Sequence, residues 1–217
     1  MLAAVTLRLS IVDYSRRLGV SGFSPGTTGN LSICDRAAGL IAITPSAMRY
    51  DEIDARDVVI LDLEGRTVEG ARRPSTEHGM HLHCYRERPD INAVVHTHSR
   101  DATTLAVLGR DLPAVHYLMA YAHADVVRCA PYRLFGTDEL ARIAVEYLGT
   151  GYACLLANHG VLACGPDISH AFALAEQLEF CAGLYLRALA AGVPRVLDAG
   201  EVRAVIDQLA SYRPQRR

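Results

Sequence analysis

The stretch VVHTHSRD, residues 94–101, constrains the chain most. An apolar run ends in two histidines separated by one threonine. Residues 93–98 read as a short buried strand. On a strand, side chains at i and i+2 leave the same face. His96 and His98 therefore stand side by side, and Thr97 points the other way. A strand end opens onto a loop, where ligands tend to bind. Two neutral imidazoles so placed can share one metal ion. They can equally be two polar residues capping a strand as it surfaces.

The rest of the pattern alternates helices and strands. Residues 7–18 carry apolar residues at helical spacing (Leu7, Ile11, Tyr14, Leu18), and residues 19–30, GVSGFSPGTTGN, form a glycine-rich loop. LSICD and LIAIT read as paired strands around a turn at 37–39. Residues 58–68 read as a hairpin turning near Glu64 and Gly65. A helix over 76–88 ends before Pro89, and further helices cover 101–108 and 138–148. ACLLANHGVLACG gives two strands around Asn158, His159 and Gly160. A long helix spans 167–191 and a short one 201–209. Several strand pairs are hairpins, which favours an α/β sandwich with a mixed or antiparallel sheet over a doubly wound parallel one. At 217 residues, 50% of them hydrophobic and with no repeat or linker-like boundary, residues 1–217 suit a single domain.

Composition excludes several chemistries. All 22 basic residues are arginine. Without a lysine amine there is no Schiff base, no lysine-anchored pyridoxal phosphate and no Walker-type phosphate loop. The net charge of -2, with acids and bases interspersed, offers no nucleic-acid footprint. No apolar run approaches a membrane span, and the first 17 residues lack the pattern of a signal peptide. Six scattered cysteines without a C-x-x-C pair read as reduced, buried thiols. The expectation is a cytoplasmic protein.

Two more residues join the histidine pair as candidates. His159 sits in ANHG between apolar strands, either as a satisfied core histidine or as a third ligand; the glycine after it permits close backbone approach. Glu77, in RPSTEHG, is either a favourable first-turn charge or a fourth ligand. Rival H-x-H patterns do not fit. A cupin site wants glutamate three or four residues after the second histidine, where this chain has Asp101 and Ala102. Amidohydrolase barrels carry H-x-H near the N-terminus of a longer chain.

Six segments, TTGNLS, ITPSAM, RPSTEHGMHLHCYRERPDINAVVHTHS, LPAVHYLMA, CAPYRLFGT and NHGVLACG, follow one another at spacings similar to those of the class II aldolase and adducin-head superfamily. Within it the chain most resembles the aldolases of L-fuculose 1-phosphate. The likeness runs over residues 7–212. It implies a three-layer α/β/α sandwich around a largely antiparallel sheet. It also implies one zinc ion on His96, His98 and His159, with Glu77 both ligating the resting metal and moving protons in turnover. The family's phosphate site falls on Asn30, Thr44, Ser46, Ser75 and Thr76, beside Ala47, where members usually carry glycine. Its catalytic tyrosines match Tyr117 and Tyr212. Family aldolases are homotetramers with active sites between subunits.

The chemistry agrees with that likeness. Cleaving a carbon–carbon bond beside a ketone leaves an enolate, and a chain without lysine needs a Lewis acid to stabilise it. The expected reaction is a zinc-dependent aldol cleavage of a ketose 1-phosphate. The sugar would be fuculose or a deoxy- or methylthio-pentulose, and the products dihydroxyacetone phosphate and an aldehyde. A pentulose-5-phosphate 4-epimerase, a methylthioribulose-1-phosphate dehydratase and a sugar-acid-phosphate decarboxylase are the alternatives on the same scaffold. A non-enzymatic adducin-head module is disfavoured, because all four metal positions are filled.

Overall fold

A computed structural model describes residues 2–211. The helices are α1 (Leu2–Ser21), α2 (His78–Glu87), α3 (Arg100–Val107), α4 (Asp138–Leu148), α5 (Ile168–Ala191) and α6 (Ala199–Ser211). The longer strands are β1 (Asn30–Asp35), β2 (Leu40–Ile43), β3 (Val59–Asp62), β4 (Thr67–Glu69), β5 (Ala93–Thr97), β9 (Ala153–Leu156) and β10 (Gly160–Gly165). Three two-residue strands, β6 (Leu112–Pro113), β7 (Val126–Val127) and β8 (Cys129–Ala130), lie between α3 and α4, with a 3-10 turn over Tyr117–Ala122. Among the described residues, eight strands form one sheet in the order β4-β3-β2-β1-β5-β10-β9-β8. Every neighbouring pair is antiparallel except β8 with β9, which is parallel.

Period-two alternation sorts the strand side chains onto two faces. Ala93 and Val95 of β5 join Leu31 and Ala42 in one core under α1, α3 and α5. Val94 joins Ile41, Ile43 and Leu162 in a second core under α2 and α4. Helices therefore cover both faces, as the sandwich expectation requires.

The expected elements are present with shifted ends. The first helix runs well beyond 7–18. Its buried stripe is Ala4, Leu7, Ile11, Val12, Ser15 and Leu18, and the helix runs through Gly19 to Ser21, beyond the expected loop start. β5 stops at Thr97, which leaves His98 just past the strand. The short strands β6 to β8 were not anticipated; two residues are too few for any period to show. No helix among the described residues is long and apolar enough to cross a membrane.

Phe172 ties the first core together. It is 1% exposed on α5, 5.4 Å from the Tyr14 ring and 6.3 Å from the Phe23 ring. The Arg17 guanidinium lies 4.4 Å over its face. Phe172→Ala should cost about 3–5 kcal/mol in urea unfolding, because α1 and α5 cannot both relax into the hole.

Candidate active site

The register of β5 builds the site. Asn30 of β1 lies opposite His96 on one side, and Leu162 of β10 lies opposite it on the other. His96 is thus fully buried in mid-sheet. Its Nδ1–H donates to the Val161 carbonyl at 3.0 Å, which leaves Nε2 as the free lone pair. His98 follows one step beyond the strand and presents its Nε2 3.0 Å from that of His96. The turn out of β5 is held from α5. The first amides of α3, Asp101 and Ala102, donate to the Glu179 carboxylate at 2.9 Å.

His159 reaches the same point from the loop between β9 and β10. Asn158 takes a left-handed conformation, φ 55°, which asparagine tolerates better than most residues. That tight turn swings His159 toward Glu77, with Nε2 3.2 Å from Oε1. The three imidazole rings lie edge to face with centroids 4.8–5.0 Å apart.

Glu77 stands at the N-cap of α2 but makes no side-chain capping bond. Its carboxylate turns instead into the site, 3.3 Å from His96 Nε2. Burial raises its pKa, but the imidazoles of His96 and His159 outweigh burial and hold it well below the carboxylate range. Burial, then the charge on His96, pushes His98 down to about 3, so His98 is neutral and free to ligate at neutral pH.

The four ligating atoms of Glu77, His96, His98 and His159 lie within 4.8 Å of one another. Glu77 Oε1 is buried without a hydrogen-bond partner, and two imidazole nitrogens face each other at 3.0 Å. Converging lone pairs and an orphaned carboxylate oxygen fit a divalent cation.

The cluster sits in the wall of a cavity of about 390 Å³. Asn30, Ser46, Ala47, Ser75 and Thr76 also line it. Ala47 takes φ 56°, the left-handed region where glycine is at ease. Thr44 stands behind the wall, buried, with its Oγ1 accepting the Leu31 N–H at 3.2 Å; it is not a lining residue. Tyr117 is 52% exposed and does not line the cavity of its own chain. Tyr212 lies outside the described residues. The residue pattern gave no role to Thr27, Thr28, Tyr132, Arg133, Phe135 and Asn158, which with Gly29 and Pro45 complete the lining. Tyr132 and Phe135 are more than half exposed, and Arg133 pairs with Glu139.

The sequence model of the Class II Aldolase and Adducin N-terminal domain matches residues 10–186. The chain belongs to this family. It is 48% identical to the 5-deoxy-D-ribulose 1-phosphate aldolase of Bacillus thuringiensis serovar kurstaki, over 96% of this chain and 97% of the relative. It is 39% identical to a 5-methylthioribulose-1-phosphate/5-deoxyribulose-1-phosphate aldolase of Rhodospirillum rubrum, over 96% and 93%. A solved L-fuculose 1-phosphate aldolase superposes with a TM-score of 0.92 at 40% identity, covering 94% of this chain and 96% of that one. The protein is an enzyme, a class II aldolase and hence a carbon–carbon lyase. Its family is metal-dependent, and its Glu/His cluster can hold a metal ion.

Gly160 tests how tightly the ligands are packed. A Cβ there would strike the Thr97 carbonyl and come within 2.8 Å of His98 Cδ2. Gly160→Ala should displace His98 and weaken metal binding by about 10-fold or more, read by chelator competition, while the fold is retained.

Proposed function

We propose that this aldolase cleaves a 1-phosphorylated 2-ketose to dihydroxyacetone phosphate and an aldehyde, with zinc on His96, His98, His159 and Glu77. The observation that carries the reading is the placement of that cluster in the wall of a cavity lined by neutral donors. Relatives named for 5-deoxy- and 5-methylthio-pentulose phosphates, one of them 48% identical, favour such a sugar over fuculose. The aromatic rims of Tyr132 and Phe135 suit such an apolar terminus.

The bound metal supplies a Lewis acid that polarises the ketose carbonyl and stabilises the enolate. The protein's own groups do the rest. Asn30, Ser46, Ser75 and Thr76 offer amide and hydroxyl donors to the phosphate. Glu77 carries the proton that the carbon next to the carbonyl gains on cleavage and loses on condensation. Tyr117 serves the aldehyde oxygen. Being exposed and turned out of its own cavity, it reaches a neighbouring subunit's site in the proposed homotetramer, whose assembly light scattering checks. Six free thiols, five of them buried, suit the reducing cytoplasm.

Purified protein should release dihydroxyacetone phosphate from 5-deoxyribulose 1-phosphate. Chelator should stop the reaction, and borohydride should trap no covalent adduct. The unphosphorylated sugar should react far more slowly, since remote binding energy holds the reacting centre in place. Epimerised or dehydrated product without triose phosphate would move the enzyme to a sister activity. Glu77→Gln should fold and still take up metal on three histidines, while kcat falls by roughly 10²-fold or more. Turnover near wild type would remove Glu77 from the chemistry.

A further inference from the structure

Behind Glu77 runs a line of buried polar side chains whose far members, His81, Ser32 and Tyr85, the proposed chemistry does not use. Asn30 Nδ2 donates to Glu77 Oε2 at 3.0 Å. Asn30 Oδ1 lies 2.6 Å from His81 Nε2. His81 Nδ1 lies 2.6 Å from Ser32 Oγ, and Ser32 Oγ lies 2.6 Å from Tyr85 Oη. Asn30 is 4% exposed, Ser32 and His81 0%, and Tyr85 3%. Four polar side chains in an apolar interior are costly unless each is satisfied. No other function assigned to the fold explains why α2 places a histidine and a tyrosine one turn apart against β1.

The donors and acceptors can be ordered in one way only. A carboxylate accepts, so the Asn30 NH₂ must face Glu77 and its carbonyl must face His81. That carbonyl needs a donor, so His81 carries its proton on Nε2. Burial pushes His81 down to about 3, so the ring is neutral and Nδ1 accepts. Ser32 then donates to Nδ1, and the Tyr85 hydroxyl donates to Ser32. Every N–H and O–H in the chain points toward Glu77.

We infer that His81 is a positioning residue for the aldolase: as its Nε2–H tautomer, with Nδ1 satisfied by Ser32 and Tyr85 behind it, it locks the Asn30 amide so that an N–H always faces Glu77 Oε2. The inference rests on the reading of Glu77 as the proton carrier. Without the His81 donor, the buried Asn30 carbonyl is left unsatisfied and the amide is free to swing away from the carboxylate. Oε2 then loses its donor, and the proton-carrying group loses its aim.

The test uses the metal-loaded enzyme. Nitrogen NMR of histidine-labelled protein should show His81 as the neutral Nε2–H tautomer; an Nδ1–H tautomer would overturn the proposal. His81→Phe keeps a ring but removes both nitrogens. It should lower kcat by about 10- to 100-fold with KM changed less than about 3-fold, the size expected for a misplaced catalytic group. His81→Gln, whose amide can donate to Asn30 from nearly the same place, should recover most of that loss. In a Glu77→Gln background His81→Phe should lower kcat no further, since the group it aims is already gone; a full additional loss would mark His81 as merely structural. Should His81→Phe not fold, the pair Ser32→Ala with Tyr85→Phe removes only the two hydroxyls that support the ring through Nδ1. A several-fold fall in kcat at constant KM supports the proposal, and wild-type kcat overturns it. If Glu77→Gln itself turns over like wild type, the reading of Glu77 fails. If Glu77→Gln is impaired but His81→Phe is not, only the positioning role fails.

Discussion

A carboxylate buried at the end of a sheet is the constraint that the rest of this structure answers to. Glu77 is 5% exposed, and its close partners are an amide and two imidazoles rather than an arginine. An ionised carboxylate taken out of water without compensation costs several kcal/mol. The amide of Asn30 satisfies Oε2. Oε1 has no hydrogen-bond partner, and the nitrogens nearest to it belong to rings that also face one another. A cation among them resolves both frustrations at once. The same absence of permanent cations leaves the carboxylate able to change its protonation during turnover, which an arginine partner would resist.

Backbone geometry supplies the positions cheaply. β5 lies between two antiparallel neighbours, and the ladder places Asn30, His96 and Leu162 in one row. One face of that row meets α2, which brings Glu77 at its start and His81 one turn later. The parity that sends Val95 into one core sends Val94, His96, Asn30 and Ser32 toward the other. A one-residue slip of β1 would replace Asn30 and Ser32 with Leu31 and Ile33 on the α2 side. The two cores on either face of the sheet make such a slip prohibitive, so packing far from the site fixes its chemistry.

Much of this was legible in the residues. Period-two spacing alone put His96 and His98 on one face, and hairpin spacing favoured a mixed or antiparallel sheet, which is antiparallel but for one pair. Other parts were hidden for identifiable reasons. The helix HGMHLHCYRE carries histidines at 78, 81 and 83, and nothing local says which one is buried. His83 reaches Asp138 across the surface, His78 turns back to the Ser75 carbonyl, and only His81 points into the sheet. Glu77 read equally well as a helix-dipole charge, because its departure from that role is a tertiary event. Thr44 and Tyr117 show the same limit from the other side. The Thr44 hydroxyl expected at the phosphate accepts the Leu31 amide from behind the wall, and Tyr117 is exposed outside the lining of its own chain's cavity.

The charge balance of the cavity follows from these placements. Arg133 is the one arginine among the lining residues, and Glu139 neutralises it. Apart from Glu77, the other polar lining side chains carry no fixed charge. A divalent ion with one carboxylate and three neutral imidazoles therefore leaves a single net positive charge on the site for a phosphate and a developing enolate. That charge is conserved only while Glu77 remains ionised and held, and it grows by one when Glu77 carries a proton. A site with fixed cations would bind substrate and product phosphates strongly in every state. On the proposed reading, the attraction is tied to the protonation of one side chain, held by Asn30 and, behind it, by His81. Uniform binding gains nothing for turnover, whereas binding that follows the proton favours the states in which the substrate carries its extra charge.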